Sequence, residues 1–327
     1  MKYLVTGGTG FIGSALARRL LKEGFEVRIL DNDSRGTSAR LADVANKIEL
    51  IQADIRDAGA VQKACQGVDG VCHLAYINGT EFFYTKPDLV LEVAVKGIVN
   101  VMDGCITHGV KELILASSSE VYQTPLKIPT DETAALSVPD PLNPRYSYGG
   151  GKIISELMAI HYRKYFKRVI IFRPHNVYGA DMGYEHVIPQ FILRMKELCQ
   201  KTDGTIHFPI QGSGKETRSF IYIDDLIDGL MLVIRKGDPL GIYHIGTTEE
   251  TTIEHVAWEV ANYFKRDIHI VPGPPAPGGT MRRCPDTTKL KRLGYAPKMT
   301  FKEGLSMTAQ WYDENLSQAF PHTLQRS

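Results

Sequence analysis

The sequence predicts an α/β fold: a doubly wound parallel sheet with a smaller C-terminal substrate-binding lobe. Two observations support this prediction. Short apolar runs alternate with segments of helical periodicity through the first half of the chain. A glycine-rich turn follows the first apolar run and opens the first helical segment, as it does in sheets that bind nucleotides. Because a helix separates each strand from the next, the strands return to one sheet and run parallel.

The strands predicted in the first half are short and apolar. They span residues 3–6, 26–30, 48–52, 70–74, 112–116 and 168–173. Helical spacing of apolar residues predicts helices over residues 12–22, 89–108 and 148–165. Together these elements supply most of the predicted sheet and its covering helices.

The alternation of strands and helices changes after residue 174. A helix over residues 188–199 and a short strand at 206–209 resemble a lid more than a sheet layer. Strands at 220–223 and 243–245, with a helix over 224–235 between them, predict a return to the main sheet.

The predicted domains are interleaved along the chain. Residues 1–175 and 218–248 form the nucleotide-binding domain, and residues 176–217 and 249–327 form the substrate lobe. Within the lobe, the four prolines and three glycines of residues 272–279 predict a loop.

Composition excludes several classes of function. The 327 residues include 38 Lys and Arg against 37 Asp and Glu, and this balance argues against binding to nucleic acid. The five cysteines are scattered and form no C-x-x-C pair, which fits neither a disulfide framework nor a zinc site. His73, His175 and His186 also lack metal-ligand spacing, so no metal is expected. Without a signal peptide or an apolar run of roughly 18 residues, we expect a soluble cytoplasmic protein that does not bind membranes.

Gly7, Gly10 and Gly13 form a G-x-x-G-x-x-G turn between the first strand and the first helix. Here backbone N–H groups and the helix N-terminus can approach a diphosphate. Asp31 follows Gly13 by 18 positions, at the end of the second strand, where a carboxylate accepts hydrogen bonds from an adenosine ribose. That carboxylate repels the 2′-phosphate of NADP, although Arg35 is near enough in sequence to weaken the repulsion. NAD is therefore the preferred cofactor.

Further cofactor contacts are predicted around the glycine turn and at the ends of the following strands. They are Phe11, Ile12, Asn32, Asp54, Ile55, Leu74, Ala75, Tyr76 and Ser117. Asp54 and Ile55 would flank the adenine, but Asp54 is explained equally well as an ordinary acidic residue that ends a strand.

Tyr148 and Lys152 are four residues apart on a predicted helix and therefore share one face. To act as a base near neutrality, a tyrosine needs a pKa lowered by roughly three from its ordinary value near 10. A neighbouring ammonium and a positive nicotinamide ring can supply this. The three residues between them are glycines, each costing about 1 kcal/mol in a helix relative to alanine. Something large must therefore approach the backbone there, either the cofactor or a neighbouring helix.

Residues 117–122 follow the predicted strand at 112–116. Their side chains are expected at the carboxyl edge of the sheet, beside the nicotinamide. A substrate hydroxyl would lie in the same place. The serines and Glu120 of this segment are therefore candidates for contact with the reacting atoms.

Six motifs, in order along the chain, resemble those of the extended short-chain dehydrogenase/reductase family of nucleotide-sugar epimerases and dehydratases. They are GGTGFIG from residue 7, HLA at 73–75, SSSEVY at 117–122, Y-x-x-x-K at 148–152, RPHNVYG at 173–179 and RSFIYIDDL at 218–226. The resemblance implies a Rossmann-type sheet, bound NAD and a nucleotide-diphosphate sugar as substrate. It also implies a homodimer that packs through the helices at 89–108 and 148–165.

The resemblance also implies roles for single residues. Tyr148 is the base that takes the proton of the sugar C4 hydroxyl while hydride passes to NAD. Lys152 lowers the pKa of Tyr148 and holds the nicotinamide ribose, and Ser118 hydrogen-bonds the same C4 hydroxyl. The residues expected to contact the sugar, diphosphate or nucleoside are Ser119, Asn176, Arg218 and Arg283.

Glu120 bears on which reaction follows formation of the 4-keto sugar. A carboxylate beside such a sugar can remove the C5 proton and so lead to loss of the C6 substituent, which slightly favours a dehydratase. The other explanation of Glu120 is an acid held in a salt bridge. The alternatives left open are a 4-epimerase, a C4 dehydrogenase and a glucuronate decarboxylase. An NAD-binding regulatory protein is the non-enzymatic alternative.

Overall fold

A computed structural model describes residues 1–275 and 278–319 of the chain. Its strands are β1 (Lys2–Thr6), β2 (Glu26–Asp31), β3 (Ile48–Gln52), β4 (Gly70–His73), β5 (Glu112–Ala116), β6 (Arg168–Pro174), β7 (Val177–Tyr178), β8 (Ile206–Ile210), β9 (Thr217–Arg218), β10 (Ile221–Tyr222), β11 (Leu240–Ile245), β12 (Thr251–Thr252), β13 (Ile268–Pro272) and β14 (Arg282–Arg283). Its α-helices are α1 (Phe11–Lys22), α2 (Ala58–Cys65), α3 (Thr80–Thr85), α4 (Pro87–Thr107), α5 (Tyr146–His161), α6 (Val187–Lys201), α7 (Ile223–Lys236), α8 (Ile253–Tyr263), α9 (Thr288–Arg292) and α10 (Phe301–Ala319). Short 3₁₀ helices lie at Ser38–Lys47, Ser119–Tyr122 and Arg163–Tyr165.

Seven parallel strands form the central sheet in the order β11-β6-β5-β4-β1-β2-β3. The order reverses at β1, because the chain moves outward through β2 and β3 and then crosses back to β4. In doubly wound sheets such a reversal opens a crevice at the carboxyl ends of the strands. The predicted α/β fold with a Rossmann-type sheet is confirmed. The strands predicted in the first half lie within one residue of their observed bounds.

The sheet separates two apolar cores because successive strand residues face opposite sides. In β1, Tyr3 and Val5 join the core that contains residues of α1 and α7. Leu4, between them, joins the core that contains residues of α2, α4 and α5. Strands covered on both faces need apolar residues at every position, which explains the continuous apolar runs of the inner strands.

Local signals at the helix starts agree with this arrangement. Asp57 caps α2, and its side chain accepts a hydrogen bond from the Ala60 N–H at 3.0 Å. Pro87 begins α4, where its fixed φ suits a helix and its missing N–H leaves no unsatisfied donor. Both helices therefore begin at residues that local chemistry selects.

The longest described helix, α4, has 21 residues and carries charged side chains along its length. Across residues 1–275 and 278–319, no helix combines the length and the apolar character needed to cross a bilayer. All five cysteines carry free thiols.

Two predictions, one in each half of the chain, need correction. The strand predicted at 220–223 is only Ile221–Tyr222, and it pairs with Val177–Tyr178 in a separate two-stranded sheet instead of returning to the main sheet. Only β11 returns, pairing in parallel with β6. The helix predicted over 148–165 begins at Tyr146 and ends at His161, where a 3₁₀ turn follows.

The remaining short strands lie beyond the main sheet. β8 pairs in parallel with β13, and β9 pairs with both β12 and β14. Of the loop predicted at 272–279, residue 272 ends β13, residues 273–275, 278 and 279 are outside helices and strands, and residues 276 and 277 lie outside the described residues.

Candidate active site

A cleft of about 1260 Å³ opens at the carboxyl edge of the sheet and continues between the sheet and the small strands of the second half. This is larger than the roughly 300–1,000 Å³ of a site for one drug-sized ligand, so it has room for a cofactor and a substrate together. Each residue predicted from the sequence to contact cofactor or substrate lines this cleft: Gly7, Gly10, Phe11, Ile12, Gly13, Asp31, Asn32, Asp54, Ile55, Leu74, Ala75, Tyr76, Ser117, Ser118, Ser119, Glu120, Tyr148, Lys152, Asn176, Arg218 and Arg283.

The glycine turn is packed so tightly that side chains are excluded from it. A Cβ on Gly7, which has φ of +72°, would lie 2.7 Å from the backbone of Ala75. A Cβ on Gly13 would lie 2.1 Å from the Gly7 carbonyl oxygen. Gly10 caps α1 without a side-chain hydrogen bond, so the first N–H groups of the helix keep their capacity to bind an anion.

Asp31 ends β2 at the rim of the cleft, and the adjoining turn orients its carboxylate. Oδ2 accepts the Thr9 N–H at 3.0 Å, and Oδ1 accepts the Asp33 N–H at 2.9 Å. Each carboxylate oxygen can accept a further hydrogen bond. The geometry suits an acceptor for ribose hydroxyls.

Asp54 is tied to its neighbours. Its carboxylate forms an ion pair with Arg56 at 2.8 Å and accepts a hydrogen bond from Asn32 Nδ2 at 2.9 Å. The hydrogen bond from Arg56 lowers the pKa of Asp54. Asp54 thus has a structural role, and its expected contact with adenine stays a prediction. Ile55 is buried beneath α4, with its Cδ1 2.3 Å from where a Cβ on Gly97 would lie.

Tyr148 lies in an aromatic cage on the face of α5 that meets the cleft. Its ring stacks on Phe83 at 4.9 Å between centroids and meets the edge of Tyr76 at 5.1 Å. Burial raises the pKa of Tyr148 above its ordinary value, and a hydrogen bond with the Ser118 side chain partly offsets this. Without a ligand, Tyr148 is therefore a neutral phenol, and its pKa is shifted in the direction opposite to that expected from the sequence.

Lys152 is one turn further along α5 and is also buried. Its Nζ donates to the Ala116 carbonyl oxygen at 2.7 Å and lies 3.8 Å from the centre of the Tyr76 ring. Burial lowers the pKa of Lys152 to about 7, and the negative charge of Glu156 limits the shift.

The glycines between Tyr148 and Lys152 differ in their surroundings. A Cβ on Gly149 would lie 2.5 Å from Gln123 Nε2, and a Cβ on Gly151 would lie 2.2 Å from the Tyr76 hydroxyl and 2.7 Å from Ala94 Cβ on α4. Gly150 meets nothing closer than 3.6 Å. The close approach to the helix backbone that the sequence predicts thus occurs at Gly149 and Gly151 but not at Gly150. At both positions the approaching atoms belong to the protein itself.

The serines after β5 point in different directions. The Ser117 hydroxyl donates to Glu156, a buried carboxylate whose ion pair with Arg173 measures 2.5 Å. Ser118 instead caps the 3₁₀ turn, accepting the Glu120 N–H at 3.1 Å, and its side chain reaches Tyr148. Ser118 is thus the serine hydroxyl that meets the Tyr148 side chain.

Glu120 is held by arginines. Its Oε1 lies 2.6 Å from Arg283 Nη1 and 3.8 Å from Arg145 Nη2. Burial favours a raised pKa for Glu120, but the charges of Arg283, Arg145 and Arg218 outweigh it and hold the pKa at about 2. The salt-bridged explanation of Glu120 therefore describes the structure without a ligand.

The remaining predicted substrate contacts lie around this pair. Arg218 donates through Nη1 to the Thr217 carbonyl oxygen at 2.7 Å, and burial lowers its pKa to about 10. Asn176, with φ of +37°, donates from Nδ2 to the Ser219 carbonyl oxygen at 3.1 Å. Sequence reasoning missed Arg145. Arg145 is the residue that precedes α5, three positions before Tyr148, and the helix predicted from residue 148 did not include it.

A family model described as the NAD dependent epimerase/dehydratase family matches residues 3–246. The chain belongs to this family. One relative, the UDP-N-acetyl-alpha-D-glucosaminuronate decarboxylase of Bacillus cytotoxicus, is 31% identical over 95% of this chain and 97% of its own length.

Solved structures of other family members have the same fold. The dTDP-glucose 4,6-dehydratase of Streptomyces venezuelae, determined with NAD bound, is 30% identical with a TM-score of 0.87, covering 98% of this chain and 99% of that one. The UDP-glucose 4-epimerase of Thermotoga maritima, determined with UDP-glucose, is 27% identical with a TM-score of 0.84, covering 97% and 100%. The predicted family, its NAD cofactor and its nucleotide-sugar chemistry are thus confirmed, while the relatives divide among three reactions.

The residues present fit the family cofactor. The space that a Cβ would need at Gly7 and Gly13 is taken by backbone, which leaves a shallow turn for a diphosphate. Asp31 would hold the adenosine ribose, and Lys152 would hold the nicotinamide ribose from its place beside Tyr148.

Proposed function

We propose that the chain oxidises C4 of a nucleotide-diphosphate sugar to a transient 4-keto sugar and then removes CO2 from C6. The meeting of Ser118, Tyr148 and Lys152 at the carboxyl edge of the sheet supports the first step. The ion pair between Glu120 and Arg283 supports the second.

In the first step, Ser118 Oγ holds the C4 hydroxyl and Tyr148 Oη takes its proton. NAD supplies the acceptor for the hydride and a positive charge beside the phenol. That charge matters, since burial keeps the pKa of Tyr148 above its ordinary value and Lys152 Nζ is 5.8 Å from the ring centre. The enclosed aromatic cage strengthens the effect of any nearby cation.

The second step follows from the state of Glu120. Dehydration needs a carboxylate free to take the C5 proton and an acid to protonate the leaving C6 hydroxyl. Glu120 is engaged by Arg283, and the neighbouring Ser119 hydroxyl is no acid near neutrality. A 4-keto uronate needs neither group: the bond from C5 to the carboxylate breaks, its electron pair passes to the C4 carbonyl, and C5 then takes a proton from water. Tyr148 would next return the proton to the C4 oxygen while the hydride returns from the bound cofactor to C4, so that CO2 is the only net loss. Arg218, which lines the same cleft and donates to a neutral backbone carbonyl, suits the charge of a carboxylate or a diphosphate.

A second candidate is dehydration, the reaction favoured by the sequence. Within the described residues, Nε of Arg145 and Nε of Arg283 have no hydrogen-bond partner. A substrate diphosphate that engaged these arginines would free Glu120, raise its pKa and restore it as a base.

The experiment is a mass analysis of products. The protein is incubated with UDP-glucose, dTDP-glucose, GDP-mannose and UDP-glucuronate, and the product masses are read. Loss of about 44 mass units from the uronate supports decarboxylation, and loss of about 18 from a neutral sugar supports dehydration instead. An isomer of unchanged mass indicates epimerisation, and net NADH release indicates a C4 dehydrogenase. Bound NAD with no conversion of any sugar would favour a regulatory protein.

We also propose a homodimer formed through α4 and α5. The apolar side chains of Leu91, Val95 and Val99 recur every four residues on α4 and are exposed, as are Ile154 and Leu157 on α5. Two copies that pack these stripes together would bury them in a four-helix bundle.

The dimer predicts a solution mass near twice the 36.4 kDa of one chain, measured by light scattering. Leu157→Glu should give monomers, because it places a charge in the apolar seam. Leu142→Glu is the matched control, since Leu142 is exposed in a loop outside the stripe. A wild-type monomer at tens of micromolar would contradict the dimer.

The domain division and the compartment are proposals too. We propose that residues 1–175 with 218–248 bind NAD and that residues 176–217 with 249–327 bind the nucleotide sugar. The position of Arg283 on β14, beyond the main sheet, supports the second part of this division. The five free thiols support a reducing compartment, which we propose is the cytoplasm.

A further inference from the structure

The segment after β2 is fixed against the glycine turn. We name residues 32–37 the ribose loop. A Cβ on Gly36 would lie 2.4 Å from Thr9 Oγ1, and the Thr37 N–H donates to the Thr9 carbonyl oxygen at 3.3 Å. Thr9 in turn donates its N–H to Asp31. The ribose loop is therefore a rigid extension of the place where Asp31 would meet the adenosine ribose.

Arg35 extends from the ribose loop to the opposite wall of the cleft. We name residues 179–186, between β7 and α6, the roof loop. Arg35 Nη1 donates to Glu185 Oε1 at 2.7 Å, and Nη2 donates to Glu185 Oε2 at 3.1 Å. The guanidinium also lies 4.7 Å from the centre of the Phe82 ring. Both terminal nitrogens of Arg35 therefore donate to the Glu185 carboxylate, and the face of its guanidinium packs on the Phe82 ring.

An arginine near the adenosine ribose is the feature with which related sites accept the 2′-phosphate of NADP. Arg35 follows Asp31 by four positions and lines the same cleft. A free guanidinium there would attract a 2′-phosphate and offset the repulsion from Asp31. A guanidinium neutralised by Glu185 offers neither its charge nor its paired N–H groups.

We infer that Glu185 is a specificity-determining residue that excludes NADP by holding Arg35 in a two-point ion pair across the cleft. The inference concerns the NAD site alone and does not depend on which sugar reaction follows. Asp31 repels the 2′-phosphate directly, and Glu185 removes the one cation of the ribose loop that would compensate.

A second ion pair between the same walls supplies the control. Arg40 binds Asp181 of the roof loop, with Nε at 2.6 Å from Oδ2 and Nη2 at 2.7 Å from Oδ1. Arg40 Nη1 also donates to the Thr9 carbonyl oxygen at 3.2 Å, so the loss of Asp181 leaves Arg40 anchored. Asp181→Asn therefore loosens the roof loop without freeing Arg35.

The test measures the dissociation constants of NAD and NADP by calorimetry on protein stripped of cofactor. Glu185→Gln should strengthen NADP binding about tenfold or more, the effect of one charge-assisted phosphate contact, with NAD binding changed by less than about threefold. Glu185→Ala should do the same and serves if the glutamine variant folds poorly. Asp181→Asn should leave NADP binding at the wild-type level.

The double variant Glu185→Gln with Arg35→Met decides the mechanism. It should return NADP binding to the wild-type level, because the gain comes from the freed guanidinium. Unchanged NADP binding in both Glu185 variants would overturn the inference. A gain in NADP binding that persists in the double variant would also overturn it. So would an equal weakening of NAD and NADP binding, because the ion pair would then only hold the roof loop in place.

Discussion

The charge of Tyr148 depends on what lies beside a buried phenol. Phe83 and Tyr76 enclose the ring, and burial raises its pKa, so the side chain keeps its proton when no ligand is bound. The Ser118 hydroxyl and a nearby cation favour the opposite change. In the proposed mechanism, cofactor binding would therefore produce the base, because Tyr148 is a neutral phenol when no ligand is bound.

Tyr148→Phe should lower turnover of the nucleotide sugar by about 10²–10⁴-fold, the usual contribution of a general base. The substitution keeps the ring that stacks on Phe83, so NAD binding and the thermal midpoint should stay at wild-type values. Turnover and cofactor content would be measured on the same preparation. Tyr146→Phe, two residues earlier on α5, is the control and should retain activity. Turnover within tenfold of wild type for Tyr148→Phe would exclude its role as the base.

Single residues of the site were predictable where a local motif carries them. Tyr148 and Lys152 are four positions apart, and Gly7, Gly10 and Gly13 three apart, so the chain itself brings each set together. The ion pair between Glu120 and Arg283 joins positions 163 apart. Such a pair leaves no local pattern, so the sequence could offer the salt bridge only as an alternative and could not name its partner.

At the scale of elements, α5 is a helix whose first turns are shaped by close contacts. Gly149 packs on the 3₁₀ turn at Ser119–Tyr122, and Gly151 packs on Tyr76 and on α4. Helix propensity alone would select other residues at both positions. The glycines let α5 approach close enough to place Tyr148 and Lys152 at the edge of the sheet.

The three glycines should respond differently to alanine. Gly150→Ala should raise the free energy of unfolding by about 0.5–1 kcal/mol, because the new methyl group has room and the helix gains propensity. Gly149→Ala and Gly151→Ala should lower it by about 1–3 kcal/mol, because their methyl groups overlap neighbouring atoms. Urea denaturation of the three variants measures this. A change of the same sign at all three positions would contradict the contacts described above.

The sequence predicts strands most accurately where the pattern of apolar residues is regular. The inner strands are continuous apolar runs because both faces are covered, and each was located within one residue. The run at 220–223 is equally apolar, yet only Ile221 and Tyr222 pair with another strand, outside the main sheet. These residues are buried by tertiary packing in the second half of the chain. An apolar run alone does not show whether its residues are buried in the main sheet or by other contacts.

Among the residues that the structure describes, the buried histidines are His73, His175 and His244. Burial lowers the pKa of His73 to about 3 and that of His244 to about 4, and it places the pKa of His175 well below its ordinary value. Below a pH of about 6.5, these histidines therefore bind protons in the unfolded chain but stay neutral in the folded protein. Their contribution to the free energy of unfolding is fully present above that pH. It declines as the pH falls toward the pKa values that the histidines have in the folded protein.

Each histidine should remove about 1.4 kcal/mol of stability per pH unit in the window between about pH 6 and pH 4. Urea midpoints measured across this window should therefore fall steeply. His175→Phe should reduce the slope by up to about 1.4 kcal/mol per pH unit, since one proton fewer binds on unfolding. His207→Asn, which removes an exposed imidazole of β8 instead of a buried one, is the matched control. An identical slope in wild type and His175→Phe would contradict this account.

The roof loop, which faces the predicted cofactor site, comes far later in the sequence than the glycine turn. Arg35 and Glu185 are 150 positions apart, Arg40 and Asp181 are 141 apart, and the outer strand β11 is later still. A nascent chain that has emerged from the ribosome only as far as β6 holds the whole glycine turn but neither acidic partner. We therefore expect tight cofactor binding only after synthesis has passed Glu185, beyond the midpoint of the chain.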